Sequence, residues 1–162
     1  LRLLTRARRR YGGYVVHLGI VLMFLGWAGN SYKIERKVNL RPGEAAVLGD
    51  YVIRHGGLTI EEDWQREMIA AQVDVLVDSE VSQRGVSKEG RRVAVLTPAR
   101  WWYYQLPEQP TTEVSRHMTA LGDVYVSIQN VNIVTGWTQF RLFYNPLVNW
   151  IWVGAIVMML GG

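Results

Sequence analysis

The sequence predicts a membrane protein of mixed class: two antiparallel transmembrane helices flanking an extracytoplasmic all-β domain of barrel or sandwich type. Three observations predict it. Residues 11–28 form a near-unbroken apolar run behind Arg6, Arg8, Arg9 and Arg10. Residues 147–160 form a second run with no charge, and the stretch between the two falls into short segments of strand-like alternation separated by turn residues.

At about 1.5 Å of rise per residue the first run covers roughly 27 Å, close to the hydrocarbon thickness of a bilayer. Lys and Arg concentrate on the cytoplasmic side of short membrane segments. This divides the chain into a cytoplasmic basic tail (1–10), a transmembrane helix (11–28), a periplasmic β-rich domain (29–145) and a second transmembrane helix (146–162). Trp27 and Tyr32 end the first span and Trp150 and Trp152 begin the second, so both aromatic belts belong to one outer interface. The second run is short for a span and the chain begins with Leu1, so the sequence is expected to be a piece of something larger, with the second helix truncated.

All five charges before Tyr32 are arginines, whereas residues 33–141 hold 13 Lys and Arg against 14 Asp and Glu, a net charge of −1. The basic character therefore comes from the tail and signals topology, which excludes nucleic-acid binding as the reading. No cysteine is present, so the outer domain needs neither disulfides nor thiol chemistry of its own.

Each residue turns a helix by about 100°, which puts Gly12, Gly19 and Gly26 on one stripe and His17 roughly opposite, with Gly13, Tyr14, Ile20, Val21 and Phe24. A glycine stripe lets another helix approach closely. An imidazole in hydrocarbon is costly unless it faces a partner, a cavity or a metal. His17 is thus a candidate ligand, or a structural histidine that donates to a neighbour's carbonyl.

In the outer domain, strand patterns are expected at 36–40, 45–48, 51–55, 58–62, 67–77, 92–97, 100–104, 111–118, 123–129 and 136–144, with a polar loop over 78–90. Roughly 115 residues suffice for one β core. His55 and His117 lack Asp, Glu or Cys at ligand spacing and read as structural. Glu61-Glu62-Asp63 reads as a solvated turn, and Trp101-Trp102-Tyr103-Tyr104 as core packing rather than a stacking surface. The sequence holds no nucleophile motif, phosphate loop or dinucleotide fingerprint.

Four stretches carry a family resemblance: Arg10-Tyr11-Gly12-Gly13-Tyr14-Val15-Val16-His17-Leu18-Gly19, Pro110-Thr111-Thr112-Glu113-Val114, Gly122-Asp123-Val124-Tyr125-Val126 and Asn145-Pro146-Leu147-Val148-Asn149-Trp150-Ile151-Trp152. In order and spacing they resemble the carboxy-terminal part of the CcmF family, membrane haem lyase subunits of cytochrome c maturation. The resemblance implies a multi-pass protein of the bacterial inner membrane that receives haem from a haem chaperone. It also implies that the protein works with small lyase-complex subunits and helps attach haem to apocytochrome c outside the membrane. It implies a haem b held between two transmembrane histidines, with His17 as one axial ligand of the iron and Gly13 leaving room for the flat macrocycle. The family's tryptophan-rich segment and two external histidines have no counterpart here, so this segment is not expected to be a complete enzyme, and its catalytic residues are unassigned. The other functional class is a membrane-anchored extracytoplasmic docking module without a cofactor.

Overall fold

The computed structural model describes residues 8–82 and 85–162. Two compact units are present. One contains helix α1 (Arg8–Gly29), a 3-10 turn (Asn30–Tyr32), residues Met118–Asp123 and helix α2 (Asn149–Gly161). Of the basic tail expected over residues 1–10, residues 1–7 lie outside the described residues, while 8–10 already belong to α1.

The helices pack antiparallel along the glycine stripe. A Cβ built on Gly12 would fall 2.5 Å from Gly161 O, one on Gly19 2.7 Å from Gly154 O, and one on Gly26 2.7 Å from Ile151 N and 3.1 Å from Leu147 O. Glycines at every seventh residue of α1 therefore meet positions spaced by seven, Gly161 and Gly154 of α2 and Leu147 just before it, backbone against backbone. Among the described residues one helix is long and apolar enough to cross a membrane, over Tyr11–Tyr32. The expected second span is a 13-residue apolar helix, about 20 Å long and short of a bilayer core.

α2 is anchored at its start. Leu147, with φ 59°, donates its N–H to Leu121 O at 2.8 Å. Asn149 Nδ2 donates to Thr119 O and to the buried Asp123 Oδ1, both at 2.7 Å, and Trp150 Nε1 donates to Ala120 O at 2.9 Å.

The second unit, Ile34–His117 with Val124–Tyr144, is the β domain. Its strands are β1 (Ile34–Leu40), β2 (Ala45–Leu48), β3 (Tyr51–Glu62), β4 (Arg66–Val77), β5 (Glu80–Ser82), β6 (Gly85–Lys88), β7 (Arg91–Leu96), β8 (Ala99–Tyr103), β9 (Leu106–Glu113), β10 (Ser115–Met118), β11 (Gly122–Val131) and β12 (Thr138–Pro146). One sheet runs β1-β12-β11-β10, and the other runs β2-β3-β4-β8-β9 with β7 also paired to β4. Alternate residues point inward from both: Leu40, Val124, Val126, Ile128, Phe140 and Leu142 from the first meet Leu48, Ile53, Ala71, Val73, Val75 and Leu96 from the second. A sandwich results.

Four expectations are corrected. The segments 51–55 and 58–62 are one strand, β3, because Gly56-Gly57 forms a bulge, with Gly57 at φ 145°, and does not break the ladder. The polar loop expected over 78–90 contains the hairpin β5–β6, in which Ser87 Oγ donates to Glu80 O. The segment 111–118 divides between the two sheets, β9 ending at Glu113 and β10 starting at Ser115. Trp101 and Trp102 are half-buried and Tyr103 and Tyr104 exposed, all outside the shared core.

Candidate functional site

His17 lies at mid-length of α1 on the face that α2 leaves uncovered, and it is exposed. Its Nδ1 sits 2.7 Å from Gly13 O, one turn earlier. A carbonyl can only accept, so Nδ1 carries the proton and Nε2 keeps its lone pair. Among the described residues Nε2 has no hydrogen-bond partner. A Cβ on Gly13 would meet nothing within 4 Å. The sequence's two candidates thus stand together: a tethered imidazole with its outer nitrogen free, over a patch of bare backbone.

Aromatic pairs flank this face on either side of His17. Tyr11 and Tyr14 meet edge to face with centroids 6.3 Å apart, and Phe24 stacks with Trp27 at the same separation. One turn beyond His17 begins an apolar groove of about 350 Å³, lined by Ile20, Met23, Phe24 and Trp27 of α1 and Ile151 and Met158 of α2. The donor set and the open surface fit a flat, apolar, metal-centred ligand held by one nitrogen from this chain.

In the β domain His55 is fully buried. Gly57 N–H donates to its Nδ1 at 3.3 Å, so Nε2–H donates to Gly136 O at 3.2 Å, with Thr138 Oγ1 at 3.3 Å. Phe140 packs edge to face on the ring at 5.1 Å. Burial pushes the imidazole below its ordinary pKa, against the smaller upward pull of its hydrogen bonds to backbone. Both nitrogens are engaged, and the ring links β3 to the turn before β12. His117 is half-buried on β10. No group of three or more His, Cys, Asp or Glu suited to a metal occurs among the described residues.

Sequence reasoning missed a polar recess of about 490 Å³ beside His55, lined by Arg54, Gly56, Gln72, Asp74 and Arg92, among others. Asp74, buried, takes Arg54 at 2.7 Å and Arg92 at 3.4 Å, and Arg54 also holds Glu89 at 2.9 Å. The hydrogen bond to Asp74 raises the Arg54 pKa, so the guanidinium stays charged. Arg54 and Asp74 are direct cross-strand neighbours, a signal that exists only once register is known.

The far end of the six-stranded sheet carries the aromatic strand. Asp63 Oδ1 accepts from the N–H groups of Gln65 and Arg66 at 2.7 and 2.9 Å, closing the turn that presents Trp64, 84% exposed. Tyr104 N–H donates to Gln65 O, and its hydroxyl donates to Glu62 Oε1 at 2.5 Å. Arg66 lies over Trp101 at 4.2 Å and Arg100 over Trp102 at 5.2 Å, while Trp101 Nε1 donates to Glu113 Oε2 at 3.0 Å. Glu61, Glu62 and Asp63 are exposed, as are Thr111 and Thr112 on β9, the sheet's edge strand.

Comparison with known proteins covers both units. Residues 31–146 match the family described as the CcmF C-terminal beta-sandwich. The chain is 29% identical over 157 residues to the cytochrome c-type biogenesis protein CcmF of Haemophilus influenzae, covering 96% of this chain and 22% of that protein. It is 27% identical over 162 residues to the protein of the same name from Escherichia coli, covering 98% and 23%. A solved structure titled "Cytochrome c Heme Lyase CcmF" shares the fold with a TM-score of 0.69 at 24% identity, over 96% of this chain and 24% of that one. The chain thus spans less than a quarter of the length of these relatives.

Proposed function

The chain belongs to the CcmF family of cytochrome c-type biogenesis proteins, and from that premise we propose that it is the carboxy-terminal segment of a membrane haem lyase. In this reading His17 of α1 would help hold a membrane-embedded haem b, and the sandwich would dock and position partners outside the membrane. The observation that carries the first half is the free Nε2 of His17 above the open backbone of Gly13.

When bound, haem b supplies one-electron redox chemistry. The Gly13 carbonyl fixes the His17 ring and its tautomer, and by taking the Nδ1 proton it makes Nε2 a stronger donor. Gly13 lets a planar ligand approach the backbone where any other residue would interpose a side chain. A second imidazole for the haem iron would come from outside this chain, whose apolar run holds no other histidine. This chain holds no cysteine, so the thiols that form thioethers would come from outside it, on this reading from apocytochrome c. The sandwich, on this reading periplasmic in a multi-pass protein of the bacterial inner membrane, meets apocytochrome c, a haem chaperone or small lyase-complex subunits and leaves bond formation to other segments.

The test is optical. In the complete protein, His17→Ala should abolish or shift the b-type absorption. Gly13→Leu leaves the helix seam untouched and fills the face beside His17, so it should lower haem content at a normal protein level. Native spectra in both variants would overturn the ligand assignment.

A further inference from the structure

The end of the six-stranded sheet differs in charge from the rest of its domain. Residues 58–67 and 99–113 carry six carboxylates, Glu61, Glu62, Asp63, Glu67, Glu108 and Glu113, against two cations, Arg66 and Arg100. The remainder of residues 33–141 holds 11 Lys and Arg against 8 Asp and Glu, so a domain of net −1 is split into an end of −4 and a body of +3. The same end exposes apolar surface: Trp64 at 84%, Leu106 at 59%, Tyr104 at 48% and Ile60 at 44%. No side chain of residues 59–69 or 100–113 belongs to the shared core, although Ile69 and the Arg100 Nε are buried. Its own two cations already lie on the indole faces of Trp101 and Trp102, the geometry of cation–π recognition. The carboxylates Glu62, Glu67 and Asp63 act together on one probe group: the exposed Tyr104 phenol is pushed up to about 12, first by its hydrogen bond to Glu62.

We propose that this aromatic sheet end, from Trp64 across Tyr103 and Tyr104, is a docking surface for an extended lysine- or arginine-rich segment of a partner polypeptide. Ammonium or guanidinium groups pair with Glu62 and Glu67, cross-strand neighbours on one face, and at the sheet's end with Glu61 on the other, while their alkyl stems and charges lie on the exposed rings. An anionic surface is repelled. A second copy offering the same end brings like charge to like charge. The inference rests on the docking role proposed above and names the chemistry of the docked chain.

The experiment titrates the chain in neutral detergent with a fluorescent synthetic peptide of alternating lysine and alanine, and with a matched peptide of glutamate and alanine. The lysine peptide should bind and the glutamate peptide should not, with affinity falling as salt shortens the Debye length. Glu61→Gln/Glu62→Gln/Glu67→Gln should weaken binding about tenfold and Trp64→Ala about threefold. Asp50→Asn/Glu80→Gln removes two exposed charges elsewhere and should leave binding unchanged. Equal binding of both peptides, indifference to the triple variant, equal loss in the control pair, or self-association abolished by the triple variant would overturn the proposal. The haem reading is scored separately, because b-type absorption does not depend on this surface.

Discussion

His17 and His55 show how the two units use the same side chain in opposite ways. His55 is enclosed by Gly57, Gly136, Thr138 and Phe140, so every polar atom of its ring is satisfied inside the protein. Among the described residues His17 bonds only the carbonyl one turn below, and its other nitrogen is left without a hydrogen bond. The packing around them differs in the same sense. The sandwich is filled by interlocking side chains, whereas the helix pair closes along its glycines and, among the described residues, leaves its other faces largely bare. A unit that satisfies itself holds a shape, and a unit that leaves an imidazole nitrogen and a helix face open has room for a further partner.

The sharpest way to break the contrast is at the helix seam. Gly154→Leu places a side chain where a Cβ would already lie 2.5 Å from Gly19 O. The helices must separate, at a cost on the order of 3 kcal/mol, visible as earlier loss of helical signal on SDS titration, while the sandwich unfolds as before. A wild-type midpoint would show that the seam is not closed by backbone contact. Next in size is His55→Ala, which strands the Gly57 N–H and empties a core site. Chemical denaturation should register a loss of about 2–4 kcal/mol in the sandwich, with b-type absorption retained. Loss of that absorption in a folded domain would break the division of labour.

The pH dependence follows from the depressed His55 pKa, with a smaller effect. The folded state disfavours the proton that the unfolded chain takes up near 6.5. Stability is therefore fully present above that value and declines as pH falls from there toward the folded-state pKa. Denaturation midpoints at two pH values, compared with those of His55→Gln, should show the acid-side decline only in the wild type. The smallest effect is local: Glu62→Gln should return the Tyr104 phenol from about 12 toward 10 in a difference titration of phenolate absorbance, with little change in stability. An unchanged titration would mean that Glu62 does not set the field at the sheet end.

Much of this was legible in the sequence, and the misses share a cause. The glycine stripe was visible because a seven-residue period needs no knowledge of the partner, and the partner is the second apolar run. Alternation across Ala71, Val73 and Val75 revealed β4 in the same way. Gly56-Gly57 misled because glycine marks a bulge and a break with the same letters. Trp101 to Tyr104 misled because hydrophobicity reports what a strand can bury, and the end of this sheet has no facing sheet residues in the shared core. The Arg54–Asp74 pair needs a register that no local window contains. The tautomer of His17 depends on a carbonyl that lies within reach only after the helix has formed.

The seam with a period of seven also fixes a phase. An α-helix falls about 20° short of two full turns in each heptad, so contact held from Gly12 through Gly26 favours a slight left-handed winding of the two helices. Within that winding the azimuth of every other residue on α1 is determined, that of His17 included, because backbone packed on backbone has no rotamers with which to absorb an error. One residue inserted between His17 and Gly19 would turn the imidazole by about 100° relative to the seam. The composition of this stretch would be unchanged in character, yet its single imidazole would point elsewhere. Length between Gly12 and Gly26 is accordingly a stricter requirement on this chain than the identity of most residues in between.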